Sequence, residues 1–175
     1  MSANPVPWLE RTFEVGPVDD REELLRQLRS APDRLSALVA RLPRETLVRR
    51  PGEAWSIQEH AGHILDLEDL HLARLAELAA GLNELRPADL SNRRTYEAHH
   101  NEEAIGSIVA DFRFAREVLA ERFESADPSR RAVHPRLGSA MGAVDLLRFV
   151  VEHDDHHLQV IERLAERWRA GDSDD

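Results

Sequence analysis

The chain has 175 residues, of which 42% are hydrophobic and 32% charged, enough to build one folded domain around a core and too apolar for a disordered polymer. Its 33 acidic and 23 basic side chains leave a formal charge of -10, which repels phosphate backbones and argues against a nucleic-acid partner. The absence of cysteine excludes disulfides, thiolate metal ligands and a cysteine nucleophile, and fits a cytoplasmic protein.

Residues 1–18 contain three prolines and read as an extended N-terminal arm. They show no basic cluster ahead of a long apolar run, so no secretory signal is expected. No window approaches the ~20 apolar residues of a membrane helix, and no Gly-rich phosphate loop appears. Residues 19–169 form the expected single domain, and 170–175 a frayed tail.

Four amphipathic stretches follow the arm. The first starts near Asp19 or Asp20 and carries Leu24, Leu25, Leu28, Leu35, Leu38, Val39 and Leu42. Pro32 lies inside it, which predicts a kink or two shorter helices. The second opens with Ser56 and Glu59, a capping-box spacing, and runs to about Ala80, where Gly81 ends it. Its apolar stripe is Ile57, Ala61, Ile64, Leu67, Leu75 and Leu78.

Residues 81–101 are a polar link, long enough to cross a bundle. The third helix is predicted from about Glu102 to Ser125, with Ile105, Ile108, Val109, Phe112, Leu119 and Phe123 facing inward. The fourth is predicted from Ser139, as N-cap, to about Trp168. No alternating strand pattern stands out, so the fold class is all-α, a four-helix bundle.

Nine histidines are placed unevenly. The inward stripe of the last helix runs Ala143, Leu146, Val150, His153, His157, Ile161, Leu164 and Trp168, so two imidazoles occupy positions that demand apolar side chains. They are four residues apart and can reach one point. Burying them costs free energy unless both are satisfied, by a divalent metal or by acidic neighbours on other helices. His156 falls off the stripe and is expected to be exposed or to support a neighbour. Asp154 follows His153 where helical zinc proteases carry a Glu general base, so that chemistry is not expected.

A third ligand must come from elsewhere. The second helix offers His60, His63 and His71, and periodicity does not choose among them. His99 and His100 are expected to be an exposed loop pair, His134 is given no role, and Trp55 is read as a packing anchor.

The segment Trp55-Ser-Ile-Gln-Glu-His-Ala-Gly-His63-Ile-Leu-Asp66-Leu-Glu68, with His153-Asp-Asp-His-His157-Leu-Gln-Val-Ile161 far downstream, resembles the DinB family. More closely, it resembles the branch that includes bacillithiol S-transferases, formerly described as metal-dependent hydrolases. The resemblance covers about residues 20–168. It implies an up-down-down-up bundle with a long connection between helices two and three, and an often dimeric assembly. It also implies a metal triad of His63, His153 and His157. Asp66 and Arg74 fall where that branch often carries an Asp and an Arg, which makes Asp66 a candidate to support a ligand and Arg74 a candidate to hold an acidic group.

Three neutral imidazoles suit zinc or nickel first, and iron after them, and leave at least one position open. The function expected from the resemblance is transfer of a low-molecular-weight thiol to a small electrophilic substrate. A hydrolase that activates water at the metal is the alternative, and a non-catalytic, stress-related metal-binding protein is a third reading. No nucleic acid or membrane is expected as a partner, and a homodimer is.

Overall fold

The computed structural model describes residues 6–16 and 20–171; the expected tail beyond Gly171 and residues 1–5 and 17–19 of the chain lie outside the described residues. Helix α1 spans Arg21–Val39, α2 Arg44–Leu47, α3 Ile57–Asp66, α4 Glu68–Ala79, α5 Arg93–Glu97, α6 Ile105–Glu124 and α7 Ala143–Arg169. A hairpin of β1 (Ala132–Val133) and β2 (Ala140–Met141) precedes α7. The architecture is a four-helix bundle of α1, the α3–α4 pair, α6 and α7.

Helix α1 packs against α6 and α7, and so does the α3–α4 pair, so α1 lies diagonally opposite the α3–α4 pair and α6 diagonally opposite α7. That arrangement is an up-down-down-up path, and the link between α4 and α6 supplies the length it needs. The core is divided in two. One apolar cluster joins Leu24, Leu28, Leu78, Leu119, Phe123, Leu146 and Val150. The other joins Leu35, Ile57, Ile64, Phe112, Leu158, Ile161 and Trp168. On α7, His153, Asp154 and His157 lie between the two sets; on α6, Arg116 does. A polar layer therefore crosses the bundle at mid-height.

Several expected boundaries are corrected. Helix α1 is a single helix through Pro32, not the two shorter helices that are one of the two expectations; Pro32 is buried in its core face. The expected single second helix is two helices, broken at Leu67. At the break, the carbonyl of Ile64, which would serve a continuous helix, accepts from Arg116 Nη2 at 3.0 Å. A side chain inserted into the ladder is a known cause of such a break.

The expected capping box at the start of α3 is present. Ser56 Oγ accepts from the Glu59 N–H at 3.1 Å, and the Glu59 carboxylate accepts from the Ser56 N–H at 2.9 Å. Helix α6 starts at Ile105, later than expected, because His100–Glu102 form a separate 3-10 turn. Gln58 pins that turn by donating to the carbonyls of His100 and Glu103 at 2.5 and 2.9 Å. Helix α7 starts at Ala143 instead of after Ser139, because residues 132–141 fold back as the hairpin around Gly138, whose φ is 66°. Asp145 caps it, accepting from the Gly142 N–H at 2.9 Å. Within the N-terminal arm, Trp8–Glu10 form a 3-10 turn, and the Trp8 ring meets Phe149 edge-on at 5.1 Å.

Candidate metal centre

Two elements bring the histidines of the polar layer together. The His153–His157 pair is one helical turn apart on α7, and α3 presents His63 beside it. One ring nitrogen from each of the three lies within 4.8 Å of the other two. Among the described residues this is the one cluster of three or more His, Cys or carboxylate groups close enough to share an ion.

The hydrogen bonds around the triad fix the tautomer of His63. The Thr95 hydroxyl donates to Asp66 Oδ2 at 2.8 Å, so it accepts from His63 Nδ1–H at 3.0 Å. That leaves the Nε2 lone pair of His63 free. His157 Nδ1 faces His60 Nδ1 at 2.9 Å, and His157 Nε2 faces His153 Nε2 at 3.2 Å. Imidazole nitrogens bound tetrahedrally at ~2.0–2.1 Å from zinc lie about 3.3 Å apart, so the 3.2 Å pair is already spaced to share an ion. His153 Nδ1 is buried without a hydrogen-bond partner.

All three rings are neutral near pH 7. Burial pushes His63 down to about 4, and burial with the repulsion of neighbouring histidines holds His153 and His157 well below their usual range. Burial likewise takes His60 to about 3. Their lone pairs are thus available to a cation without first shedding protons. The donor set fits a divalent ion: three neutral imidazoles, two of them oriented through Nδ1.

The triad lies at a cleft of ≈ 370 Å³ whose walls include Trp8, Trp55, Leu67, Leu70 and Phe149. Asp66 does not line that cleft; it acts on His63 through Thr95 and also accepts from His100 Nε2 at 2.9 Å. Arg74 lines the cleft and is buried, with its Nε donating to the Arg86 carbonyl at 3.1 Å. His156, expected to be exposed or supporting, is buried between Trp8 and His157 and lines the cleft. Of the expected exposed loop pair, His99 is exposed, but His100 is buried because its ring bridges Asp66 and Glu103. His134, given no role, is buried and lines the cleft; Trp55 lines it too, its ring 4.6 Å from that of His63.

Beneath the triad, Arg116 is fully buried. It donates to Asp154 at 2.7 and 2.8 Å and to Glu68 at 2.6 Å. This network was legible in principle, since Arg116 stands between Phe112 and Leu119 on an apolar stripe. Thr95 and His100 had no such signal, because both lie in the polar link, on the short α5 and a 3-10 turn too brief to show an apolar stripe.

Comparison with known proteins places the family and the fold. A family model described as the DinB superfamily matches residues 27–161. The fold matches YfiT from Bacillus subtilis, described as a probable metal-dependent hydrolase with an unusual four-helix bundle topology. The TM-score is 0.75 at 17% identity, covering 93% of this chain and 94% of that one. No curated protein matches the sequence.

Proposed function

The chain belongs to the DinB superfamily, and from that premise we propose that it is a metal-dependent enzyme that transfers a low-molecular-weight thiol to a small electrophilic substrate. The observation that carries this reading is the convergence of His63, His153 and His157 at a cleft large enough for a small molecule. Three protein ligands leave a coordination position open, which is the pattern of catalytic sites; structural zinc sites are closed by four.

His63, His153 and His157 would hold the ion, with zinc or nickel the first choices and iron after them. A divalent ion bound there supplies Lewis acidity, sufficient to ionise a thiol or a water near neutral pH. The chain has no cysteine, so the thiol is a co-substrate. The Asp66–Thr95 relay holds the His63 ring in its ligating tautomer, and His60 Nδ1 would do the same for His157 as the acceptor of its Nδ1–H. Trp8, Phe149 and Leu70 give the cleft an apolar wall, and Arg74 is placed to orient an acidic group. Among the described residues no helix is long and apolar enough to cross a membrane. A cytoplasmic homodimer belongs to the same reading, and sedimentation of the purified protein tests its assembly.

The test is a thiol-conjugation screen on metal-loaded protein. Conjugation should vanish on chelation, return with zinc or nickel, and be absent from His153→Ala. Ester or amide hydrolysis without any thiol is the second reading, favoured by the description of YfiT; turnover of that kind, with no conjugation, would replace the first.

A further inference from the structure

The end of the cleft away from the triad is built differently. Arg74 reaches it from α4, and His134 and Arg136 reach it from the hairpin turn between β1 and β2. Arg74 is 3% exposed, yet among the described residues its guanidinium makes no ion pair. The acid whose charge acts on it, Glu77, is hydrogen-bonded to Arg86, accepting from Nε at 2.6 Å and from the backbone N–H at 2.9 Å. Arg136 likewise has no carboxylate partner among the described residues. It donates to the Trp8 and Leu9 carbonyls at 3.3 and 3.4 Å and lies over the Phe149 ring at 5.6 Å.

His134 is 2% exposed and both of its ring nitrogens lack a hydrogen-bond partner. Asp89, the one carboxylate among the residues lining the cleft, accepts from Ser91 and Arg93. Two guanidiniums and an unsatisfied imidazole thus converge with no carboxylate paired to any of them, and the one acid acting on Arg74, Glu77, is shared with Arg86. Burying such groups unpaired is costly, and an anionic ligand removes the cost.

We infer that Arg74, His134 and Arg136 form a carboxylate-binding subsite, and that the molecule brought to the triad is a small organic acid with an apolar middle. Planar guanidiniums match a carboxylate's two oxygens, and the neutral His134 ring adds an N–H donor. Trp8, Leu70 and Phe149 supply the apolar wall between the two ends. Burial, aided by Arg74 and Arg136, holds His134 down at about 4, so it serves as a neutral donor near pH 7. The inference deepens the reading above by naming the substrate class of the same cleft.

Calorimetric titration with hexanoate and its neutral isostere hexanamide tests it, on both chelated and zinc-loaded protein. Hexanoate should bind the wild type about ten- to a hundredfold more tightly than hexanamide, the loss typical of one charge-assisted hydrogen bond. Arg74→Gln and Arg136→Gln should each erase most of that preference. Arg136 is only partly buried, so its variant decides the matter should Arg74→Gln fail to fold. Equal binding of the two probes, or a preference that survives in Arg136→Gln, overturns the subsite. Failure of zinc to bind would instead overturn the metal reading, and the probe ratio on chelated protein reads the subsite separately.

Discussion

Thr95 carries more of the site than its place in a polar link suggests. Its hydroxyl joins Asp66 to His63, and a residue that fixes a ligand's tautomer usually matters about 10–100-fold to metal affinity. Thr95→Val is therefore expected to weaken zinc binding by that factor while leaving the helical content unchanged; competition titration against a chelator of known affinity measures it. Unchanged affinity would remove Thr95 from the account. His153 and His157 were legible because an apolar stripe made them conspicuous. His63 was not separable from His60 and His71 by periodicity, and only the resemblance pointed to it. Thr95 and His100 left no mark, since what matters about them is a fold of the chain that brings residues ~30 apart into contact.

Element by element, the site depends on how closely the link packs on α3. A Cβ built at Gly62 would lie 2.2 Å from the His100 ring, so glycine is what allows that ring to reach Asp66. Gly62→Ala should expel His100 and cost about 1–3 kcal/mol in urea unfolding, the range of core overpacking. An unaltered midpoint would mean that His100 is not held there. Arg116 is the second such joint. Arg116→Met leaves Asp154 buried without its cation, a change expected to cost about 3–5 kcal/mol, and Arg116→Met with Asp154→Leu should recover part of it. The helix cores and the capping box were legible from periodicity and spacing. The break at Leu67 was not, because it follows from a guanidinium arriving from another helix. The start of α7 was misplaced for a similar reason: Ser139 has the chemistry of an N-cap, but the hairpin claims its carbonyl, which accepts from the His134 N–H at 2.9 Å.

For the whole molecule, the buried histidines set the response to acid. His60 titrates at about 3, His63 and His134 at about 4, and His71, His153 and His157 well below the ordinary value. In the unfolded chain all titrate near 6.5. Between those values the unfolded state binds more protons than the folded one, so stability is fully present above pH 6.5 and is lost as pH falls toward 4. Glu68, raised to about 7 by burial against the pull of Arg116, acts with the opposite sign between 4.5 and 7. Glu152 and Asp154, raised by burial, and His100, raised against its burial by Asp66 and Glu103, share that sign; these four stand against seven lowered histidines, His156 included. The melting temperature of chelated protein should therefore fall steadily from pH 7 to pH 5; a flat or rising profile would contradict the neutral, buried state of these rings. The four-helix class was legible from amphipathic stretches alone. The division of the core by a polar layer was not, since outside α7 its members are scattered over separate elements, as Arg116 is on α6 and His63 on α3. The claim on which the site, its chemistry and its substrate rest is that two distant segments hold one ion in common. X-ray absorption of the zinc-loaded protein tests it most directly. The account expects three imidazole nitrogens at about 2.0–2.1 Å, reduced to two or none in His153→Ala. A coordination shell of oxygens alone, or one identical in the wild type and the variant, would contradict it.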